Sequence, residues 1–188
     1  ASEYGRTYRP EEVAAIVALA RERRLAIHMD GARFANAVAF LEATPADAAG
    51  DVDALSFGFI KNGGLGAEAI VFFDAALADV ARYRRKRAGH LQSKGRFLAA
   101  QLHAMLDGDV WLTNARHANA AAQEIAAGCE ERLMHAAEAN ELFVRCTADE
   151  RQALREKGFG FYDWGDDAAR FVTAWNTPEE DASALAKA

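Results

Sequence analysis

The chain has 188 residues, with 22 Lys and Arg against 28 Asp and Glu, and a formal net charge of −6. This length suits one ordinary domain, or one domain with a small appendage, and the acidic excess disfavours a protein that binds the phosphate backbone of nucleic acids. Hydrophobic residues make up 51%, much of it alanine, and no apolar stretch approaches the roughly 18 residues that a membrane span needs.

Short apolar runs alternate with helical spacing in the first part of the chain. Pro10, followed by two acidic residues, suits the first turn of a helix that arginines close. Helices are predicted over residues 10–24, 33–41, 75–106 and 111–127, and strands over residues 25–29, 54–58 and 69–73. The alternation is typical of a parallel α/β sheet. Because the third run follows the second too closely for a crossover helix, we expect one of that pair to run antiparallel.

The order of predicted strands and helices changes after Gly128. Strands are predicted over residues 141–144, 158–162 and 170–173, and helices over residues 148–157 and 178–186. Strands and helices in this order indicate an α+β unit, which we expect to be a second, small domain.

Two cysteines, Cys129 and Cys146, provide neither a disulfide framework nor the spacing of a metal site. The first residues show no basic segment followed by an apolar run, as a secretory signal would have. We therefore expect a soluble, cytoplasmic protein that holds no metal.

The first candidate site is residues 28–33, His-Met-Asp-Gly-Ala-Arg, where a predicted strand passes into a helix. In open α/β sheets ligands bind at the carboxyl ends of strands, and the period of a strand would point His28 and Asp30 to one face. The structural alternative is that Asp30 caps the next helix while His28 packs in the core.

The second candidate site is residues 56–66, a strand end followed by a glycine-rich loop with one lysine, Lys61. The order of residues excludes a phosphate loop of the Walker type, because the lysine precedes the glycines. Phe59, Ile60 and Leu65 flank the lysine, and burial among them would lower its pKa and make it a usable nucleophile. The alternative is a solvated loop lysine.

Taken together, the two sites favour pyridoxal phosphate (PLP) chemistry. A lysine can hold this cofactor as a Schiff base, and a carboxylate such as Asp30 can keep its pyridine nitrogen protonated, so that the ring withdraws electrons. Ala32 would leave room for a flat ring, and Arg33 can donate to the ring hydroxyl or to a substrate carboxylate.

Several segments resemble the threonine aldolases, a family of fold-type I PLP-dependent enzymes. Residues 28–37 resemble the Asp-Gly-Ala-Arg segment of that family, and residues 54–63 resemble its Schiff-base segment. Residues 83–91 and the Glu138-Ala139-Asn140 triplet are also similar to those of bacterial low-specificity members. The resemblance extends over nearly the whole chain.

The resemblance implies the fold and the cofactor site. The expected fold is α/β, with residues 1–110 forming the back part of the PLP-binding large domain and residues 111–188 a small α+β C-terminal domain. Lys61 would be the catalytic Schiff-base lysine and Asp30 the partner of the pyridine nitrogen, and Arg33, Ala32 and His28 complete the expected cofactor-binding set. The upstream segment that carries the main phosphate loop and the ring-stacking residue in the family is expected to lie outside this sequence.

The resemblance also implies the reaction and the partners. The expected activity is cleavage of β-hydroxy-α-amino acids such as threonine to glycine and an aldehyde, with Arg170 and Arg33 holding the substrate carboxylate. A planar guanidinium suits that role because it can pair with a carboxylate through two hydrogen bonds. We expect a homodimer or homotetramer, and no nucleic-acid or membrane partner.

Two other interpretations stay open. One is another fold-type I reaction, β-elimination or transamination, since Asp30 and Lys61 would serve all of these. The other is an inactive fragment of such an enzyme. The basic cluster at residues 82–87 is interpreted as a solvated helix face or a subunit contact and not as a nucleic-acid site, and Lys94 is a candidate phosphate contact.

Overall fold

The computed structural model describes the backbone of residues 2–188 and the side chains from residue 4 onward. Its helices are α1 (Pro10–Glu22), α2 (Phe34–Leu41), α3 (Pro45–Ala49), α4 (Ala75–Arg87), α5 (Arg96–Leu106), α6 (Val110–Gly128), α7 (Ala148–Glu156) and α8 (Glu179–Ala186). Its strands are β1 (Ser2–Glu3), β2 (Arg6–Thr7), β3 (His28–Gly31), β4 (Ala54–Phe57), β5 (Ala69–Phe72), β6 (Glu141–Arg145), β7 (Tyr162–Trp164) and β8 (Ala168–Val172). This is the mixed α/β architecture that the sequence predicts.

The first three-stranded sheet has the order β3-β4-β5. β3 and β4 are parallel, in a register that places Asp30 opposite Ser56, whereas β5 runs antiparallel to β4. The expectation of one antiparallel strand is thus confirmed. The carboxyl ends of β3 and β4 meet at one edge, where the two candidate sites follow them.

The strand predicted over residues 25–29 begins later, at His28. Both backbone groups of Ile27 are already bonded to Asp53: its amide donates to the Asp53 carboxylate and its carbonyl accepts from the Asp53 amide. Leu25 is 56% exposed. The apolar run was misplaced as a strand because β4, the partner that fixes the ladder, begins only at Ala54.

Two further boundaries differ from the prediction. The helix predicted over residues 75–106 is broken between α4 and α5, where Gly89 (φ 77°) and Lys94 (φ 59°) are left-handed. The strand predicted over residues 158–162 starts only at Tyr162, because the Gly158 and Phe159 amides donate to carbonyls of α7 and finish that helix. Left-handed turns of this kind end helices.

Helix α6 joins two hydrophobic cores. Its first half contributes Trp111 and Ala115 to a core beneath β4 that includes Phe34 and Leu55. Its second half contributes residues such as Ile125 to a core formed with β6, β8 and α8. The division at residues 110/111 stays a prediction, since α6 packs continuously into both.

Candidate functional site

The site is built where the chain leaves β3 and β4. The Gly58 amide donates to the Gly31 carbonyl at 3.1 Å, which continues the contact beyond the last paired residues. A Cβ atom added at Gly58 would lie 2.8 Å from Cα of Ala32, too close for any side chain. Glycine at this position therefore lets the segment that leads to Lys61 pack directly on the turn that follows Asp30.

Asp30 is exposed, and its Oδ1 accepts a hydrogen bond from the Ala32 amide at 3.0 Å. This is a local turn stabilised by an aspartate side chain. It is not the helix cap that was the structural alternative, because α2 begins after Arg33 without a side-chain cap. Within residues 4–188, whose side chains are described, Oδ2 of Asp30 makes no hydrogen bond, so one carboxylate oxygen is available to a ligand.

His28 shares the strand face of Asp30, two residues away, as the strand period requires. Its ring is exposed and its Nε2 lies 2.8 Å from the Ser56 hydroxyl on the neighbouring strand. The alternative that His28 packs in the core is wrong. The sheet surface beside Asp30 is polar instead, with His28 and Ser56 joined across it.

Lys61 lies in a single 3₁₀ turn, Ile60–Asn62, after β4. The expected burial of its amine is not found: Lys61 is exposed, Leu65 is 88% exposed, and Phe59 turns into the core. Apolar residues beside Lys61 do not predict burial of its amine, because the short turn sends neighbouring side chains in different directions.

The turn itself is held firmly by the next residue, Asn62, which is buried. The Asn62 side chain donates to the Trp111 carbonyl at 2.7 Å, and the backbone carbonyl of Asn62 accepts from the Asn114 side chain at 2.9 Å. Gly63 follows with φ 97° and closes the turn. Two anchors to α6 therefore fix the backbone that carries Lys61, while its side chain points to solvent.

Arg33 and Arg170 meet on one carboxylate, that of Glu141. Arg33 Nη2 lies 2.9 Å from Glu141 Oε1, and Arg170 donates to the same oxygen through Nε at 3.0 Å and through Nη2. The Glu141 side chain is only 5% exposed. Tyr162 lies under the Arg170 guanidinium, 5.6 Å from its ring centroid. The two arginines expected to bind a substrate carboxylate are thus brought together.

Burial has the largest effect on the pKa of Arg33 and lowers it below the ordinary value. The charge of Glu141 opposes that shift, Arg170 adds to it, and Asp30 opposes it. An arginine remains charged through such changes. Charges on both sides of Arg33 therefore act on its guanidinium, and the burial of that group outweighs them.

Asn140 orients Arg33 from the other side. Its Oδ1 accepts from Arg33 Nε at 2.9 Å, and its Nδ2 donates to the Thr173 carbonyl at 2.7 Å. Two fixed partners determine which way the amide faces. In the sequence Asn140 stands out only as part of a family-like triplet, and neither Asn140 nor Glu141 carries a pattern that predicts a role.

Glu138, from the same triplet, anchors the N-terminal segment. Its buried carboxylate accepts from the Thr7 amide at 2.8 Å and from both terminal nitrogens of Arg9 at 3.2 and 2.9 Å. The backbone amides of residues 138 and 139 both donate to the Gly5 carbonyl. The triplet in the sequence pointed to Glu138, but it could not reveal the partners of Glu138. One of them, Thr7, lies 131 residues away in sequence.

Other predicted features lie apart from this cluster. In the part of the chain that is described, no helix combines the length and the apolar character required to cross a membrane. The same residues contain no group of three His, Cys, Asp or Glu side chains arranged to hold a metal ion. The basic residues 82–87 lie on α4, which has no buried residue, and Lys94 is exposed.

Comparison with known proteins shows the family of the chain. The family model described as beta-eliminating lyase matches residues 1–148. The chain belongs to the beta-eliminating lyase family. Two relatives, both low-specificity L-threonine aldolases, one from a Pseudomonas strain and one from Pseudomonas aeruginosa, are each 44% identical to this chain over nearly all of it. The resemblance to threonine aldolases is confirmed.

Solved structures agree with this family assignment. A threonine aldolase from Leishmania major matches 98% of the chain with a TM-score of 0.89 and 29% identity. A Thermus thermophilus protein described as a probable N-succinyldiaminopimelate aminotransferase, at 18% identity and a TM-score of 0.73, shares the fold. The chain spans about half the length of the curated relatives that it matches, 56% of each. The expected fold class, part of a fold-type I enzyme, is confirmed.

Proposed function

We propose that the protein carrying this chain is a PLP-dependent aldolase that cleaves threonine-like β-hydroxy-α-amino acids to glycine and an aldehyde. The observation that carries the proposal is one sheet edge, where the carboxylate of Asp30 lies near the end of β3 and the amine of Lys61 follows β4. Arg33 comes three residues after Asp30 and shares the Glu141 carboxylate with Arg170. The threonine aldolases among the relatives support the same reaction.

The described residues fit pyridoxal phosphate by the chemistry of their donor groups. Lys61 offers an exposed amine on an anchored turn, and Asp30 offers a carboxylate oxygen without another hydrogen-bond partner among the described residues. In the proposed site Lys61 would hold the cofactor and Asp30 would pair with its ring nitrogen. Ala32, His28 and Arg33 would complete the set of residues that bind it. When bound, PLP supplies the electron sink that bond cleavage next to an amino group requires.

Arg33 and Arg170 are proposed to bind the substrate carboxylate. Both are partly buried, with side chains 13% and 26% exposed, so their hydrogen bonds to an anion would be stronger than in open water. Holding the carboxylate fixes the orientation of the remaining bonds of the α-carbon, which decides the bond that breaks.

A Lys61→Ala variant of the full-length protein tests the proposal. The protein loaded with PLP is expected to be yellow and to release glycine from threonine, and the variant is expected to lose both properties. Lys157→Ala is the matched control, since Lys157 is exposed and its amine, among the residues that the structure describes, donates to the Ala188 carbonyl alone. A Lys61→Ala protein that stays yellow and active would refute the assignment.

The matching family model favours one second candidate, β-elimination. The same Asp30 and Lys61 would serve that reaction. Product analysis with threonine separates the two: glycine with acetaldehyde supports the aldolase, whereas release of ammonia supports elimination.

A homodimer or homotetramer in the cytoplasm completes the proposal. The exposure of helix α4 favours a subunit contact at this helix. All its residues are at least partly exposed, including Tyr83 at 82%. Sedimentation of the full-length protein would measure its assembly state, and a monomer would contradict this part of the proposal.

A further inference from the structure

We infer that Glu141 is a positioning residue. It holds Arg33 and Arg170 in the arrangement in which the Nη1 group of each arginine receives the substrate carboxylate. This inference rests on the proposed function for the identity of the substrate. The observation behind it is that two arginines contact one buried oxygen of Glu141. Neither the family match nor the sequence motifs give Glu141 a role.

The contacts occupy the same edge of each guanidinium. Arg33 uses Nε for Asn140 and Nη2 for Glu141, and Arg170 uses Nε and Nη2 for Glu141. Among the described side chains no hydrogen bond engages Nη1 of either arginine. Glu141 therefore fixes both guanidinium planes and leaves the two Nη1 groups to a ligand.

The charge balance suits one carboxylate. Two arginines face a single glutamate, so the group formed by Arg33, Arg170 and Glu141 retains one formal positive charge. A carboxylate of the substrate would neutralise that charge. A partly buried positive charge without a counter-ion is unfavourable, and an anionic ligand relieves it.

Glu141 is itself held rigidly. Its backbone pairs with Val172 in the ladder between β6 and β8. On its other side Gly5, with φ 76°, comes so close that a Cβ atom there would collide with the Glu141 carbonyl. With the carboxylate buried and the backbone packed on both sides, Glu141 can act as a fixed reference for two flexible arginines.

Two substitutions test the charge of Glu141 and the length of its side chain separately. Glu141→Gln keeps the length of the side chain and removes the charge, whereas Glu141→Asp keeps the charge and withdraws the oxygen from both arginines. Glu150→Gln is the control, because Glu150 also pairs with an arginine, Arg132, but on the exposed start of α7. All three are made in the full-length protein loaded with PLP.

The direct measurement is calorimetric titration with 3-hydroxybutyrate, a β-hydroxy carboxylate without an amine, which cannot react with the cofactor. We expect both Glu141 variants to bind it about tenfold more weakly than the unaltered protein, since each loses charge-assisted or well-aimed hydrogen bonds. Glu150→Gln should bind as the unaltered protein does. For threonine cleavage, KM should rise about tenfold while kcat changes less than about threefold, the pattern of lost binding that is uniform along the reaction.

The outcomes are distinguishable. Unchanged or tighter binding of 3-hydroxybutyrate by Glu141→Gln and Glu141→Asp would overturn the inference, as would a lower melting temperature with unchanged binding, because that pattern belongs to a merely structural residue. If the unaltered protein does not cleave threonine but the variants still bind 3-hydroxybutyrate more weakly, the proposed function fails and the positioning role of Glu141 stands.

Discussion

Glu138 should hold the N-terminal segment against the C-terminal half of the chain, and replacing it tests that contact. In a Glu138→Ala variant the Thr7 amide loses its acceptor at 2.8 Å, and Arg9 loses both of its contacts to the carboxylate. Thr7 is 5% exposed, so water does not readily replace the missing acceptor. The perturbation is thus local and falls on residues 5–9.

The expected magnitude follows from these exposures. A buried amide left without an acceptor costs about 1–3 kcal/mol. The Arg9 side chain is 33% exposed and can recover water, so its pair adds little. The amides of residues 138 and 139 still donate to Gly5, which keeps the segment in place. We expect local opening to become easier by about 2 kcal/mol, or about thirtyfold.

Hydrogen–deuterium exchange followed by mass spectrometry measures this opening directly. The peptide that contains Thr7 should exchange about thirtyfold faster in Glu138→Ala. Glu138→Gln should show a smaller acceleration, because its amide oxygen can still accept from Thr7. Asp167→Asn is the control, since its pair with Arg145 is mostly exposed. Acceleration of less than about threefold in Glu138→Ala would show that the carboxylate does not hold the segment.

Two further predictions concern the core and α7. Phe34 is 1% exposed, and Phe34→Ala should lower the free energy of unfolding by about 3–5 kcal/mol. Phe97→Ala, at a residue that is 62% exposed, should change it by less than about 0.5 kcal/mol in the same denaturant titration; equal losses would contradict the assigned core. The Thr147 amide, then the Arg132 guanidinium, lower the pKa of Glu150 from 4.5 to about 2. Because the folded-state pKa is the lower one, the stability that Glu150 adds is present above pH 4.5 and is lost as the pH falls toward 2. Exchange of α7 amides should accelerate over that range, and an equally steep change in Glu150→Gln would refute the assignment.

The sequence predicted most helices because their signals are local. Pro10 with its acidic neighbours marks the start of α1, and α7 begins at Ala148 as predicted, where the structure shows a capping box at Thr147. Strands were predicted less well, since a strand begins where its partner begins. The displacement of β3 to His28 follows from its pairing with Ala54 and not from its own apolar residues.

The sequence alone determined the order of the chemical groups. A carboxylate at the end of one strand is followed by an arginine, then by an amine after the next strand, and by a second arginine far along the chain. Tertiary structure decided their partners. Arg33 meets Asn140, 107 positions away, and shares Glu141 with Arg170. Lys61 is exposed although apolar residues flank it. The physical reason is that burial and ion pairing depend on which surfaces the packed elements bring together. A local pattern of residues does not encode which distant residues will meet.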